Sequence, residues 1–223
     1  MYRKGPKINR NLIECRAIKR RAFTLVELLM VIGIITILAA LAAENYLAAK
    51  IRANVTRVKS DFRTIAGAIE LYRTDHNAYP RMADSSFYND PAFDYIDGIP
   101  VRGVLTKSLT TPVTYMSNFK LIDPFMSARK DAALDEQLYT YQVIGEYVRE
   151  EPESEFWPAA REYYGEWRLI GVGPDQTFGH GFANSAQLIY DPTNGLISFG
   201  NIFTSHYNPE TQPGSDLLGE VLP

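Results

Sequence analysis

One long apolar segment near the start of the chain constrains the fold more than any other feature. Residues 23–43 read FTLVELLMVIGIITILAALAA, and 17 of these 21 residues are hydrophobic. A helix of this length reaches about 31 Å, which matches the hydrocarbon core of a bilayer. Twelve of the residues are Leu, Ile, Val or Phe, which together favour insertion by about 4–7 kcal/mol. The segment therefore predicts a helix that spans a membrane.

Charge is distributed unevenly on the two sides of this segment. Residues 1–22 contain eight basic residues and one acid, Glu14, which gives a local charge of +7. The other 201 residues contain 15 bases and 25 acids, a charge of −10 within a net charge of −3. By the positive-inside rule, the basic residues stay cytoplasmic and the acidic part crosses the membrane. Nucleic acid is not expected as the primary partner, because phosphates attract basic surfaces.

A secretory signal peptide and a plain signal anchor are two simpler interpretations of the apolar segment. A signal peptide has an apolar core of about 7–15 residues, which is shorter than residues 23–43, and here a helical pattern continues beyond it. Neither interpretation explains Glu27, the only charged residue in the segment. An ionisable residue in hydrocarbon indicates a function, because a carboxylate is costly there. The alternative is an acid tolerated at the membrane interface.

The residues around Glu27 resemble the processing motif of type IV pilin-like proteins. The motif combines a basic leader, a small residue and Phe-Thr-Leu-x-Glu before an apolar helix, seen here as Arg20-Arg21-Ala22-Phe23-Thr24-Leu25-Val26-Glu27-Leu28-Leu29. The resemblance implies that prepilin peptidase removes residues 1–22 by cutting between Ala22 and Phe23, and that the new amino group of Phe23 is N-methylated. It also implies that Glu27 pairs with the N-terminal amine of a neighbouring subunit. Such a pair would favour assembly, because it relieves an isolated charge in hydrocarbon.

Two positions depart from that motif. The residue before the cut is usually Gly, whereas this chain has Ala22, which we expect to be cut more slowly. The family often has a helix-bending proline where this chain has Glu44, so we expect a straighter helix. Removal of residues 1–22 also removes Cys15, the only cysteine. The mature chain would then have no disulfide and no cysteine-ligated metal.

An amphipathic pattern continues the helix beyond the membrane. Apolar residues recur at spacings of three and four from Leu47 to Tyr72, which is the pattern of one helix face. Tyr79-Pro80 is expected to end the helix, because the residue before proline avoids helical geometry. We therefore expect the amphipathic half, residues 44–79, to pack on its own globular domain. A self-associating coiled coil is the alternative.

The end of this helix resembles one particular group within the pilin-like proteins. Residues 68–80, AIELYRTDHNAYP, are similar to the same region of the major pseudopilins of type II secretion, where a tyrosine, a short polar turn and Tyr-Pro recur. His76 is interpreted as a polar residue near the helix C-terminus, where the helix dipole favours it. A metal ligand or a catalytic base is the alternative for this histidine.

The rest of the chain predicts an irregular connection and a small sheet. Scattered Pro, Gly, Asp and Ser in residues 80–137 predict a loop region with short helical turns near 101–109 and 127–136. Strands are expected at 138–144 and 167–170 because these residues are β-formers. Asn194-Gly195, between two apolar runs at 186–190 and 196–199, predicts a hairpin.

The predicted fold class is α+β and pilin-like. A long N-terminal helix, with a membrane half at 23–43 and an amphipathic half at 44–79, is expected to pack on an antiparallel sheet within residues 138–203. Residues 204–223 are expected to form a polar, partly disordered tail.

Two acids are candidate calcium ligands. Residues 171–176 and 190–195 resemble C-terminal regions of pseudopilins, and in the major pseudopilins the loop after this strand binds Ca²⁺ through carboxylates and backbone carbonyls. Asp175 lies in the matching loop, and Asp191 is a second candidate. Since the loop has few other acids and Ca²⁺ takes about six to eight oxygens, a glycine-rich loop without metal is the alternative. The acidic residues 150–155 are interpreted as a solvated turn, and no other cofactor is expected.

These expectations lead to one function and two alternatives. The leading hypothesis is a structural subunit, not an enzyme, that polymerises into a helical filament and acts in type II secretion. It would cross the inner membrane once, with its leader cytoplasmic and its C-terminal domain periplasmic. The expected partners are further copies of the chain, prepilin peptidase, a motor ATPase and an inner-membrane platform protein.

The first alternative is a subunit of a type IV pilus used for adhesion, motility or DNA uptake. Many such pilins close a C-terminal loop with a disulfide, so the absence of cysteine after residue 22 favours the secretion subunit. The second alternative is a membrane-anchored periplasmic binding protein or enzyme. The sequence offers no cluster of catalytic residues in its favour.

Overall fold

The computed structural model describes residues 23–83, 95–96, 99–100, 103–127, 129, 132–177, 189–195 and 197–209 of the 223-residue chain. Residues 1–45 and 46–223 form two compact units. In the described residues, the first unit consists of Phe23, Thr24 and the first part of helix α1 (Leu25–His76). The second unit contains the remainder of α1 and every other element.

The second unit adds short helices and strands to α1. The helices are α2 (Leu134–Gln137), α3 (Ile144–Glu150) and α4 (Phe156–Tyr164). A two-stranded antiparallel ribbon consists of β1 (Tyr95–Ile96) and β2 (Ile99–Pro100). The main sheet consists of β3 (Thr140–Val143), β4 (Trp167–Gly171) and β5 (Ile202–Ser205). Its order is β3-β4-β5 and both pairings are antiparallel, with Leu169 between Tyr141 and Thr204.

The amphipathic half of α1 packs on this sheet. Its buried stripe, in the spacing that the sequence predicts, is Ile51, Val58, Phe62, Ile65 and Ile69. Most of these residues join the largest core cluster together with residues of β3 and β4. The ring of Phe62 meets that of Tyr139 edge-on, with centroids 5.1 Å apart, a favoured aromatic geometry. The structure thus confirms the α+β, pilin-like architecture of a long helix on a small antiparallel sheet.

A glycine allows the helix and the sheet to approach closely. A Cβ atom at Gly171, the last residue of β4, would lie 3.1 Å from Val58 Cγ1 and 3.2 Å from Phe62 Cζ. Most real Cβ contacts are longer than this. A larger residue would therefore push α1 away from the end of β4.

The helix ends three residues earlier than predicted. Its last residue is His76, and Asn77 follows in the left-handed conformation with φ of 50°. The N–H of Asn77 donates to the carbonyl of Arg73 at 2.8 Å. This is a common helix C-terminal cap, for which asparagine is well suited, and it stops the helix before Tyr79-Pro80 is reached.

A buried carboxylate fastens the connecting region to the sheet. Asp123 is 1% exposed. Its Oδ1 accepts the N–H of Phe125 at 2.8 Å, and its Oδ2 accepts the N–H of Val172, just after β4, at 2.7 Å. Burial raises the pKa of Asp123 to about 6 in spite of these bonds, and the charge of nearby Asp61 adds to the rise.

The sequence interpretation missed the two helices that lie between β3 and β4, α3 and α4. Residues 150–155 were expected to form a solvated turn; Glu150 is the last residue of α3, and residues 151–155 connect α3 to α4. Arg168 of β4 fastens these helices to the sheet, since its guanidinium lies 5.0 Å from the ring centroid of Tyr164 and 5.9 Å from that of Trp157. Its Nε donates to Gln142 Oε1 at 2.6 Å. Aromatic faces stabilise this buried cation.

The predicted hairpin at Asn194-Gly195 is wrong. Residues 192–194 form a 3-10 turn, and Asp191 Oδ1 accepts the N–H of Thr193 at 2.8 Å. Gly195 has φ of 116° and ψ of 159°, a positive-φ conformation that is essentially restricted to glycine and differs from that of a type I′ hairpin turn. Residues 197–199 form no strand, and residues 186–188 and 196 lie outside the described residues. The third strand of the sheet is β5 instead.

The predicted boundary between sheet and tail, after residue 203, falls inside β5. The strand continues through Thr204 and Ser205, which are both buried. The predicted turns near 101–109 and 127–136 correspond to a 3-10 turn at Lys107–Leu109 and to α2 in the described parts of those ranges.

Candidate functional site

The first turn of α1 is closed by reciprocal hydrogen bonds between Thr24 and Glu27. The backbone N and the hydroxyl of Thr24 both donate to Glu27 Oε2, at 2.9 and 2.8 Å. The N–H of Glu27 donates in turn to Thr24 Oγ1 at 3.2 Å. This is a capping box, which satisfies helix N-terminal donors that have no partner within the helix. The bonds engage Oε2, so the carboxylate retains Oε1 as an acceptor for another molecule.

Phe23 lies directly before this cap and is 71% exposed. Ala22, the other residue of the predicted cut, lies outside the described residues, as do the basic residues of the leader. The predicted N-methylation site and the predicted assembly residue are thus neighbours at one helix end. The sequence pattern Thr-x-x-Glu signals a capping box, but the sequence interpretation did not use it.

The first unit presents an apolar surface with no cover of its own. Every residue from Phe23 to Asn45 is exposed, including twelve large hydrophobic side chains between Leu25 and Leu41. Within the described residues, α1 is the one helix long and apolar enough to cross a membrane. A surface of this size is far beyond the apolar patches of soluble monomers, so it requires lipid or protein around it.

Two polar side chains in this stretch donate hydrogen bonds to backbone carbonyls of the same helix. The Thr36 hydroxyl donates to the carbonyl of Ile32 at 2.7 Å, and Asn45 Nδ2 donates to the carbonyl of Leu41 at 3.1 Å. Internal bonding of this kind is what hydrocarbon demands of polar groups. Glu44 lies within the helix, where the proline of the pilin-like motif would have stood.

Asp175 lies in a crowded turn after β4. Its Oδ2 accepts a hydrogen bond from the Thr177 hydroxyl, while its Oδ1 is buried without a hydrogen-bond partner. A Cβ at Gly173 would lie 3.2 Å from this Oδ1 and would collide with the carbonyl oxygen of Gly200. Asn201 follows Gly200 in the chain, and its Oδ1 is a second buried oxygen without a hydrogen-bond partner. These oxygens are of the kind that Ca²⁺ takes, although they are fewer than a full set of ligands.

The Asp191 carboxylate bonds to Thr193, in the 3-10 turn that follows it. Its Oδ1 accepts both the N–H and the hydroxyl of Thr193, at 2.8 and 2.7 Å, and these bonds lower the pKa of Asp191. The carboxylate therefore caps the 3-10 turn. Among the described residues, no group of three or more His, Cys, Asp or Glu side chains could hold a metal ion.

The described histidines have structural contacts. His76 Nδ1 lies 3.1 Å from the carbonyl oxygen of Tyr72, and the two rings stack at 4.1 Å, which agrees with a helix-end role. His206 lies 3.4 Å from the Tyr79 hydroxyl through Nε2 and packs against Trp167. His180 lies outside the described residues.

The start of the chain matches a known family model. Residues 18–43 match the prokaryotic N-terminal methylation motif. The chain thus carries a prepilin-type motif over the segment that contains Ala22, Phe23 and Glu27.

Curated relatives also match in part. The type II secretion system core protein G of Klebsiella pneumoniae is 37% identical over 62 residues, which cover 28% of this chain and 44% of that protein. The core protein G of Pseudomonas aeruginosa is 39% identical, with the same coverage. The type IV wide pilus major component PilA4 of Thermus thermophilus is 48% identical over 59 residues, which cover 26% of this chain and 45% of that protein. The chain is homologous to these proteins but spans less than half of their length, and no solved structure matches it significantly.

Proposed function

We propose that this chain is a structural subunit of a helical, pilin-like filament at the inner membrane, acting in protein export as the major pseudopilin of type II secretion does. The observation that carries the proposal is the uncovered apolar helix surface that begins with the Thr24–Glu27 cap. It lies within the matched methylation motif. Such a surface is stable in a bilayer before assembly and among neighbouring helices afterwards.

Processing and orientation follow from the leader. The charge of +7 on residues 1–22 would keep them cytoplasmic, and the second unit, residues 46–223, would then lie in the periplasm. Prepilin peptidase would cut between Ala22 and Phe23 and leave a new amino group on Phe23. A motor ATPase and an inner-membrane platform protein would drive the filament.

The new ammonium and the Glu27 carboxylate are the two charges at the start of the mature helix. Glu27 retains Oε1 as an acceptor, since its bonds to Thr24 engage Oε2. An ammonium of a neighbouring copy would pair with it in the filament, and this pair fixes the axial position of each subunit. A single polar pair inside an apolar interface specifies register in coiled coils in the same way.

A type IV pilus subunit is the second candidate. The similarity to a protein named as a pilus component, at 48% identity, supports it. Deletion of the gene distinguishes the two roles: loss of exported proteins from the medium indicates secretion, whereas loss of surface pili with normal export indicates a pilus. If the chain is instead a binding protein or enzyme anchored by the same helix, deletion of its gene should affect neither filaments nor export.

The mature N-terminus tests the proposal directly. Mass spectrometry of the protein from membranes should find N-methylated Phe23 as its first residue. An intact Met1, or a cut near residue 43, would contradict the proposed function. As a matched variant, Ala22→Gly should be processed at least as fast as wild type in a pulse-chase measurement, because it restores the usual residue of the motif.

Calcium is proposed at Asp175 rather than Asp191. A site occupied at about 100 times its dissociation constant stabilises a fold by about 2.7 kcal/mol, which is a shift of several degrees in melting temperature. Chelation should therefore lower the melting temperature of the full chain in micelles, and Asp175→Asn should remove this response. Asp191→Asn is the control and should keep it. No shift on chelation of the wild-type protein would eliminate the site.

A further inference from the structure

The part of α1 that belongs to the second unit has a basic surface. Residues 46–67 contain five bases and one acid, a local charge of +4 on a chain whose residues after the leader carry −10. All five bases are exposed, namely Lys50, Arg52, Arg57, Lys59 and Arg63. Arg52 and Lys59 are about two helical turns apart and therefore lie on the same side of the helix. We call the five bases the basic surface of α1.

An acidic segment of equal and opposite charge joins α3 to α4. Residues 150–155 read EEPESE, with four acids, no base and a local charge of −4. All four glutamates, Glu150, Glu151, Glu153 and Glu155, are exposed. Trp157 of α4 donates from Nε1 to Glu151 Oε2 at 2.6 Å, which holds the segment against α4. Since four like charges within six residues repel one another, a cationic surface beside them would stabilise the segment.

The basic surface and the acidic segment belong to layers on opposite sides of the main sheet. Trp167 of β4 faces α1, because its Nε1 donates to Glu70 Oε1 at 2.9 Å. Arg168 is the next residue of the strand and faces the other side, where its guanidinium lies 5.0 Å from the ring centroid of Tyr164 in α4. Helix α1 and helix α4 thus cover opposite faces of the sheet.

This arrangement separates the two charged surfaces within one molecule. Packed layers lie roughly 10 Å apart, whereas the charged atoms of an ion pair lie within about 4 Å. The acidic segment is therefore too far from the basic surface of its own molecule to form ion pairs with it. A second copy of the chain offers the complementary surface without this restriction.

We propose that the acidic segment of one subunit contacts the basic surface of α1 in a neighbouring subunit. The proposal rests on the filament proposed above and adds which surfaces of the second unit meet in it. Two different surfaces that complement each other form a head-to-tail contact, and repetition of such a contact gives a helical filament when it does not close into a ring. Complementary charge also fixes the register of an interface and disfavours wrong alignments.

Charge reversal tests the contact in filaments of the full chain. Arg52→Glu combined with Lys59→Glu places like charges in the contact, and so does Glu153→Lys combined with Glu155→Lys. Each double variant should lower the yield of filaments by at least ~10-fold, because like charges that oppose each other across an interface are costly. The four substitutions together exchange the two signs, so this variant should recover a yield within ~3-fold of wild type. Sedimentation of sheared filaments measures the yield.

The control variant reverses one base and one acid outside both surfaces. Lys107→Glu combined with Glu136→Lys serves this purpose, since both residues are exposed, and it should assemble as wild type does. Normal yield from either double variant would overturn the proposal. A loss that the four substitutions do not restore would also overturn it, because the charges would then serve folding or another partner, such as the membrane surface. Absence of filaments from the wild-type protein would instead refute the proposed function, and this contact with it.

Crosslinking tests whether the contact is head-to-tail. Cys15→Ser removes the only native thiol, and Lys59→Cys is combined with Glu153→Cys in one chain. A bifunctional maleimide added to filaments should then produce covalent trimers and longer chains, because each subunit meets one neighbour through each of its two surfaces. Each single-cysteine variant can give no product longer than a dimer. Filaments of the double-cysteine protein that give only monomers and dimers would contradict the proposed contact.

Discussion

Filaments should fail to form from the Glu27→Ala protein, although the protein still enters the membrane. The substitution removes the only charge in residues 23–43 and so makes the span more apolar, which favours insertion. In the filament it leaves the ammonium of a neighbouring copy without a partner in an apolar surrounding. Because removal of one member of a buried ion pair is strongly destabilising, we expect the yield of filaments to fall by at least ~10-fold.

Sedimentation and electron microscopy of sheared filaments measure this yield, with membrane fractionation as the check on insertion. Glu44→Ala is the matched control, since it removes an exposed acid from the same helix without touching the cap. It should assemble as wild type does. Normal filaments from Glu27→Ala would refute the proposed pairing.

The Asp123→Ala protein should be about 2–6 kcal/mol less stable than wild type at neutral pH. Removal of the carboxylate leaves the N–H groups of Phe125 and Val172 buried without an acceptor, and each such loss costs about 1–3 kcal/mol. Urea unfolding of the full chain in micelles, followed by tryptophan fluorescence, measures this loss of stability, because both tryptophans, Trp157 and Trp167, lie in the second unit. Glu136→Ala, an exposed acid in α2, should change stability by less than ~0.5 kcal/mol.

A pH profile isolates the charge of Asp123. The folded protein holds this proton up to a pH of about 6, whereas the unfolded chain releases it near 3.8. Stability from the protonated group is therefore complete below pH ~4 and is lost as the pH rises through ~6, an effect of about 3 kcal/mol. Between pH ~4 and ~7, the wild type should therefore lose about this much stability relative to Asp123→Asn, because asparagine has no proton to release. A difference that stays constant with pH would contradict the raised pKa.

Periodic features of the sequence predicted the fold well. The structure packs the stripe from Val58 to Ile69 against the β-formers Tyr141 and Leu169 in one core cluster. Both patterns depend on local periodicity and on the burial of apolar side chains, which one sequence displays directly.

Features that depend on competing local bonds were predicted poorly. Asn194-Gly195 favours a hairpin, but the bond from Thr193 N to Asp191 draws the preceding residues into a 3-10 turn instead. The buried roles of Asp123 and Arg168 depend on segments distant in the chain. Composition alone indicates turns and solvated charges at such positions, since charged residues are seldom buried without partners.

At the candidate site, the prediction was limited by what one subunit contains. Glu27 was singled out from its charge within the apolar segment, and the structure adds Thr24 as its hydrogen-bond partner. Pairing with another copy stays a prediction, because it involves atoms of two molecules.

The bare apolar surface of α1 has a thermodynamic consequence for the proposed assembly of membrane subunits into a filament. Lipid tails are as apolar as leucine, so a helix that leaves the bilayer for the filament gains almost nothing from the hydrophobic effect. The hydrophobic effect therefore does not decide between the two states, and helix packing together with the proposed Glu27 pair would hold a subunit in the filament. Work done by the proposed motor ATPase would then set the direction of the exchange.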